Sequence, residues 1–532
     1  MIEPRWWQVR VVYQIYPMSF ADSNGDGIGD IQGIISKLDY LKELGVGILW
    51  LSPIYVSPNE DNGYDIADYC GVQPQYGSLD DVDLLLKEAH TRDIKIILDL
   101  VINHTSTEHV WFRQSRKKIE PYSDYYYWRK EPNNWTGFFG EKAWEYDEER
   151  KEYYLHLFAK GQSDLNYHNP NVIREVENVM RFWLDRGVDG FRCDVINILW
   201  KENLEDGRRR IALTGSENYI SVPHLHDLLR RFNDDVFSHY DCYTVGETVF
   251  VNPRMAKDLT DPARKELNTV FSFEHMETDC FFVKWLLRRF SPERFFKTIS
   301  KWQRQLDWNT VYFENHDQPR SVSRFCKAGY HDQASKTLCT LLLSLRGTAF
   351  IYEGQEIGMT NFDYQDMSEI KDVESWNIWN LTGKMKLPKS LRWKMIRTKG
   401  RDNARTPMQW SSEPNGGFST GKPWLKPNSN FTTINVEKQL LEPDSVLNYY
   451  KRMIKLRNGN PALLAGDFEE VYQKGGVYAF SRSLGNERLY AVFNISGKKR
   501  KSPISGECLI STEGRTVLSG EMKPYEAALI RG

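Results

Sequence analysis

Long apolar stretches are missing from this 532-residue sequence. The run around Leu341–Leu345 falls far short of the ~20 residues that a membrane-crossing helix needs, so no membrane is expected. The first ten residues carry early charges and two tryptophans but no apolar core of roughly 7–15 residues, which argues against a secretory leader. Excess charge of either sign is also missing. Seventy Lys and Arg face 72 Asp and Glu, a net charge of -2, so there is no basic field to attract nucleic acid or an anionic membrane surface. Cysteine is sparse, with seven residues, an odd number, and no CxxC pair; free thiols in a reducing cytoplasm are the simplest reading. No GxGxxG follows the first β-like run and no GxxxxGK[ST] occurs anywhere, so nucleotide chemistry lacks its phosphate cradle and no organic cofactor is expected.

Aromatic residues, by contrast, are abundant: 17 Trp, 28 Tyr and 26 Phe make up 13% of the chain. They can fill cores or form flat platforms for sugar rings, and a neutral substrate suits the charge balance. Short β-branched and aromatic runs recur, each followed by a helical segment: Val12–Phe20, Val46–Leu51, Ile94–Ile102, Val188–Val195, Cys242–Gly246, Asn268–Phe273, Thr310–Phe313 and Thr348–Tyr352. Eight such units, several apolar on both faces, predict an α/β chain folded as a (β/α)8 TIM barrel. The gap after the third run is rich in Tyr, Trp, Asn and Gly, and predicts a small inserted subdomain over 105–172 within a barrel over 1–104 and 173–465. From 466 to 532 helical periodicity stops, and runs such as Val477–Ser481, Arg488–Ile495 and Ala527–Ile530 predict a C-terminal antiparallel β-sandwich.

In a parallel barrel the chemistry sits where strands end. The fourth run reads Asp189-Gly-Phe-Arg-Cys-Asp-Val195, and its period of two puts Arg192 and Asp194 on one face. The guanidinium is expected to lower the Asp194 pKa, as a carboxylate nucleophile needs. The fifth ends Val245-Gly-Glu247, an acid after an apolar approach with no adjacent cation in sequence. Desolvation there suits a general acid, and the glycine suggests a close approach of backbone or ligand. The third run ends Asp99-Leu-Val-Ile-Asn-His104 and the seventh ends Phe313-Glu-Asn-His-Asp317. Two acids with opposed pKa demands are what glycoside hydrolysis requires.

Asp99–His104, Gly190–Val195, Val245–Glu247 and Asn315–Asp317 resemble, in order and spacing, the four signature regions of the α-amylase family. Gln162-Ser-Asp-Leu-Asn166, Asp61-Asn-Gly-Tyr64 and Arg401–Trp410 resemble its oligo-1,6-glucosidase branch, although Ser163 and Cys193 depart from the residues usual there. The resemblance implies a retaining, exo-acting α-glucosidase on small oligosaccharides such as isomaltose, isomalto-oligosaccharides and panose. By position, Asp194 would be the nucleophile, Glu247 the acid/base and Asp317 the transition-state stabiliser. It also implies sugar contacts from Asp99, His104 and His316, a Tyr64 ring stacked under the sugar, Arg192 orienting the nucleophile, and Asp61 with Arg405 closing the pocket. Val195 after the nucleophile accompanies α-1,6 preference in that branch. A monomer or weak homo-oligomer is expected.

The segment Asp22-Ser-Asn-Gly-Asp-Gly-Ile-Gly-Asp30 resembles the opening of an EF-hand loop, although Gly33 stands at its twelfth position. Relatives that bind calcium here imply Asp22, Asn24, Asp26, Asp30 and the Ile28 carbonyl as ligands of a structural Ca2+; an Asx-turn loop without metal is the other reading. Competing functions are a trehalose-6-phosphate hydrolase, disfavoured because acids in Phe273–Glu277 would repel phosphate, and a sucrose isomerase. From another class, the amylase-like binding module of amino-acid transporters would carry a membrane anchor and lack the catalytic acids.

Overall fold

The computed structural model describes residues 4–532. Each of the eight runs holds a strand: β1 Val12–Ile15, β2 Ile48–Leu51, β3 Lys95–Leu100, β4 Gly190–Cys193, β5 Tyr243–Glu247, β6 Thr269–Phe271, β7 Thr310–Val311 and β8 Thr348–Tyr352. They form one sheet in the order β6-β5-β4-β3-β2-β1-β8-β7, a nearly closed (β/α)8 barrel. Every residue in these strands is buried except Lys95 at the start of β3, as a sheet covered on both faces demands. The strands are shorter than the runs. Pro17–Phe20 turns helical with Pro17 in the first turn, and β4 stops at Cys193, leaving Asp194 and Val195 in the turn beyond it. Gly190 opens β4 with φ +147°, and a Cβ there would lie 2.0 Å from the Tyr243 carbonyl oxygen in β5, so no side chain can be carried at that position.

The described residues divide into two compact units. One comprises Trp50–Lys87 and Lys95–Phe273 and holds β3 to β6. Its helix Pro170–Asp185 starts where Pro170 follows Asn169, whose side chain accepts from the Asn171 amide; such a cap contributes about 0.5–2 kcal/mol. Within 105–172 lies a three-stranded antiparallel sheet of Trp128–Arg129, Glu152–Leu155 and Trp144–Asp147, and a ribbon pairs Gln162–Asp164 with His104–Ser106 at the start of that segment. Tyr127, Trp135, Trp144, Leu155 and Leu157 pack there with Val195, Ile198 and Tyr219.

The other unit comprises the residues up to Leu49, Glu88–Ile94 and Glu274–Gly532, and holds β1, β7 and β8. Two helices after β8, Val373–Lys384 and Lys389–Lys399, pack Met395 and Ile396 against Trp285, Tyr364, Met367 and Ile370. The C-terminal region is a six-stranded antiparallel sheet in the order Asp467–Lys474, Val477–Leu484, Glu487–Asn494, Glu526–Arg531, Gly506–Ser511, Val517–Leu518. Its second layer is a ribbon of Arg500–Lys501 with Glu521–Met522, and Met522 and Leu518 bury against Ala479, Val492, Ala528 and Ile530. No helix among the described residues is long and apolar enough to cross a membrane, and all seven cysteines are free.

Candidate active site

In the first unit three carboxylates share one guanidinium. Parallel register sets Arg192 of β4 opposite Asp99 of β3 and Val245 of β5. Arg192 Nη1 donates to Asp99 Oδ1 at 2.6 Å and to Asp194 Oδ1 at 2.5 Å, while Nη2 pairs with Glu247 Oε2 at 2.7 Å. All four groups are buried. Asp99 also accepts from Trp50 Nε1 at 3.1 Å and the Tyr64 hydroxyl at 3.0 Å, and the guanidinium lies 5.3 Å and 5.9 Å from the centroids of those two rings. Burial lifts the Asp194 carboxyl well above the usual range; Arg192 opposes this, and the charges of Glu247 and Asp99 with a hydrogen bond to Glu247 add to it. Arg192 thus pulls the Asp194 pKa down as expected, but the net shift is upward. One cation divided among three buried carboxylates does not offset their desolvation and mutual repulsion. The cation-free setting expected for Glu247 is corrected, because Arg192 reaches it from the neighbouring strand. Gly246 makes room for side chains rather than backbone or ligand: a Cβ there would meet Leu267 Cδ1 at 2.7 Å and Ile196 Cγ2 at 2.8 Å.

Val195 adopts φ 35°, ψ 40°, a left-handed conformation that is strained for a β-branched residue. Its N–H donates to Glu247 Oε2 at 3.2 Å. His104 is a buried neutral imidazole, because desolvation lowers its pKa; Nδ1 accepts from Asn103 Nδ2 at 3.1 Å and Nε2 donates to the Tyr64 carbonyl at 3.0 Å. The Asp61 carboxylate lies 3.4 Å from Gln162 Nε2. Beside them Lys201, fully buried, is held by Asp164 Oδ1 at 2.6 Å, Asn103 Oδ1 at 2.8 Å and the Ile198 carbonyl at 3.0 Å. Sequence reasoning did not single out this lysine; its only signal is a lone cation after the mostly apolar segment Ile196–Trp200.

In the second unit a tight turn, with Gln318 N bonded to Asn315 O, carries Asp317. Its Oδ1 accepts from Arg405 Nη2 at 2.8 Å and Arg401 Nη1 at 3.5 Å, and Oδ2 faces His316 Nε2 at 3.1 Å. Gln14 Nε2 lies 2.8 Å from His316 Nδ1, so with the amide donating there, Nε2 carries the proton that meets Asp317. Burial pushes the Asp317 carboxyl up, but His316, Arg401 and Arg405 together hold it well below its usual range. Arg405 is buried, bonded to the His316 carbonyl at 2.9 Å and 5.5 Å from the Tyr16 ring centroid. Arg401, not anticipated as a site residue, is tied to Asp372 by bonds of 2.7 Å. Each histidine expected to contact sugar thus has its Nε2 engaged by the protein, and orients the residue beside it.

The Asp22–Asp30 loop winds on itself: Asp22 accepts from the amides of Asn24, Gly25 and Gly27, Asn24 from Asp26, Asp26 from Ile28, and Asp30 from Ser23 and Gly33. No three His, Cys, Asp or Glu side chains form a metal-binding group among the described residues.

Residues 14–466 match the alpha-amylase catalytic domain family. An oligo-1,6-glucosidase of Parageobacillus thermoglucosidasius is 49% identical over 100% of this chain and 99% of its own length. Among solved structures, the trehalose-6-phosphate hydrolase of Bacillus licheniformis superimposes with a TM-score of 0.92 at 39% identity, covering 99% of this chain and 100% of that one. The isomaltulose synthase of Protaminobacter rubrum reaches a TM-score of 0.94 at 38% identity, covering 99% of both. With the four signature regions standing at the ends of β3, β4, β5 and β7, the chain belongs to the alpha-amylase family of glycoside hydrolases.

Proposed function

We propose that this glycoside hydrolase is a retaining, exo-acting α-glucosidase that prefers α-1,6 bonds in short substrates. The observation that carries the reading is the Asp194–Glu247 pair on the two arms of Arg192. Sharing one guanidinium, at 2.5 Å and 2.7 Å, keeps the two carboxyls close, in keeping with the short carboxyl separation of about 5–5.5 Å in retaining enzymes and unlike the wider inverting arrangement. In the reactive state the proton of the pair sits on Glu247, so that Asp194 attacks the anomeric carbon as a carboxylate while the glycosidic C–O bond breaks and its electron pair takes the Glu247 proton onto the leaving oxygen. Glu247 then removes a proton from water, whose oxygen displaces Asp194 and restores the configuration. Asp317, held anionic by its two arginines and His316, braces the distorted sugar through its hydroxyls. By the resemblance, Tyr64 stacks on the ring and Asp61 and Arg405 are sugar-binding residues, which supports the exo-acting reading.

The α-1,6 preference is supported by the oligo-1,6-glucosidase relative and by Val195, whose strained backbone fixes a branched side chain immediately after the nucleophile. The trehalose-6-phosphate alternative is not excluded by acids in Phe273–Glu277. Glu274 is neutralised by Lys301 at 2.8 Å, and burial raises the Glu277 carboxyl, so neither supplies a bare charge to repel phosphate. Hydrolysis rates on isomaltose, maltose, sucrose and trehalose 6-phosphate separate the candidates. Isomaltose is expected to lead maltose, with trehalose 6-phosphate poor and sucrose giving little isomer, and Val195→Ala should narrow the isomaltose-to-maltose ratio roughly tenfold, the ~1–3 kcal/mol scale of methyl-sized pocket changes. An unchanged ratio would detach linkage choice from this residue. The seven free thiols support a cytoplasmic setting, and a monomer or weak homo-oligomer completes the reading.

The Asp22–Asp30 loop supplies only hard oxygen donors, the type calcium takes. Asp22, Asn24, Asp26, Asp30 and the Ile28 carbonyl would hold the ion, whose role is to neutralise and pin the loop. Millimolar CaCl2 is then expected to raise Tm by several degrees over EGTA-treated protein, with little change in kcat at low temperature. Equal Tm values would leave the loop held by its own Asx turns.

A further inference from the structure

Asp279 belongs to no signature region, yet it sits at a junction behind Asp317. It lies at the base of the hairpin Cys280–Phe281 and Val283–Leu287, where its carbonyl accepts from the Arg288 amide. Its carboxylate gathers two cations: Arg324 donates from Nε to Oδ2 and from Nη2 to Oδ1, both at 2.8 Å, and Lys399 Nζ donates to Oδ1 at 2.6 Å. The three side chains are only 2%, 6% and 2% exposed for Arg324, Asp279 and Lys399. Each cation leads back to the catalytic carboxylate. Arg324 Nη1 donates to Gln318 Oε1 at 2.6 Å, and Gln318 closes the turn whose preceding residue is Asp317. Lys399 ends the helix Lys389–Lys399, two residues before Arg401, which reaches Asp317 and Asp372.

We propose that Asp279 is a positioning residue that clamps the turn bearing Asp317 to the helix end bearing Arg401, and so sets the placement of Asp317 against the substrate. The clamp rests on the role given to Asp317 above. Two buried cations cannot be left unpaired, so loss of the carboxylate releases both segments together. A shift of about 1 Å at a group contacting the transition state costs on the order of 100-fold in rate.

The test is Asp279→Asn, which keeps shape and removes charge, assayed on p-nitrophenyl α-glucoside at high enzyme concentration and well below Tm. The expected result is a fall of ten- to a hundredfold in kcat/KM, shared between kcat and KM, with an unchanged far-ultraviolet circular dichroism spectrum. In an Asp317→Asn background the same substitution is expected to change kcat/KM less than twofold, because the group it positions is gone; a merely structural role would reduce activity equally in both backgrounds. Asp279→Glu is expected to recover part of the loss. Parent-like kcat/KM for Asp279→Asn, or an equal loss in the two backgrounds, overturns the clamp. If Asp317→Asn itself keeps parental activity, the role of Asp317 fails first, and that outcome is visible without any change at Asp279.

Discussion

Asp194→Asn is expected to lower kcat/KM on isomaltose by roughly 10^4- to 10^6-fold, the scale seen when a nucleophile acting in a catalytic unit is removed. The substitution keeps size and burial but removes the electron pair that forms the glucosyl-enzyme bond. Glu247→Gln should cost about 10^2- to 10^4-fold on the same substrate, and far less in the first step with p-nitrophenyl α-glucoside, whose leaving group departs without a proton. That second substrate discriminates between roles: for Glu247→Gln it should give a burst of p-nitrophenol followed by slow turnover, whereas Asp194→Asn should give no burst. Parental rates in either variant would end the mechanism proposed for this pair.

Arg192→Met is expected to cost about 3–5 kcal/mol or more at neutral pH, since it strands buried carboxylates without their cation. The pH dependence follows from the direction of each shift. Asp194 keeps its proton to a higher pH in the folded chain than in the unfolded one, so its contribution to stability is complete below the unfolded value of about 3.9 and is lost as pH rises through the folded value. Asp317 runs oppositely: held low in the folded chain, it contributes above about 3.9 and its contribution is lost as pH falls through the folded value. Removing Arg192, whose charge lowers the Asp194 pKa, raises that carboxyl further, so the deficit of the variant should be greatest at pH 7–8 and shrink toward pH 5, where Asp194 takes up its proton. Urea unfolding of parent and variant across that range is the measurement. A deficit independent of pH would mean that Arg192 contributes packing rather than charge.

The sequence displayed what is periodic and local. Eight apolar runs announced the barrel, and the two-residue repeat in Arg192-Cys-Asp194 brought the right pair together, although Asp194 falls in the turn just beyond β4. What it hid depends on neighbours across the sheet. The guanidinium at Glu247 comes from the adjacent strand, so a reading of Val245-Gly-Glu247 alone sees an isolated acid. The same distance effect concealed the division of one arginine among three carboxylates, and with it the upward shift at Asp194. Lys201 looked like the polar end of an apolar run because its partners, Asn103 and Asp164, lie far away in sequence. Arg401 stood four residues before an arginine that had been singled out, a helical spacing that could have flagged it. The helices Val373–Lys384 and Lys389–Lys399 have few buried residues each, too weak an apolar stripe to stand out.

Val195 links two demands in one residue. Its amide holds the Glu247 carboxylate, while its side chain is part of the aromatic cluster of the inserted segment. On the proposed function, directed evolution toward another linkage at this position therefore meets epistasis: a smaller side chain loosens the cluster it shares with Tyr127, Trp144 and Leu157 at the same time as it reshapes the acceptor site. Productive trajectories should acquire compensating bulk in that cluster before, or together with, any change in regioselectivity.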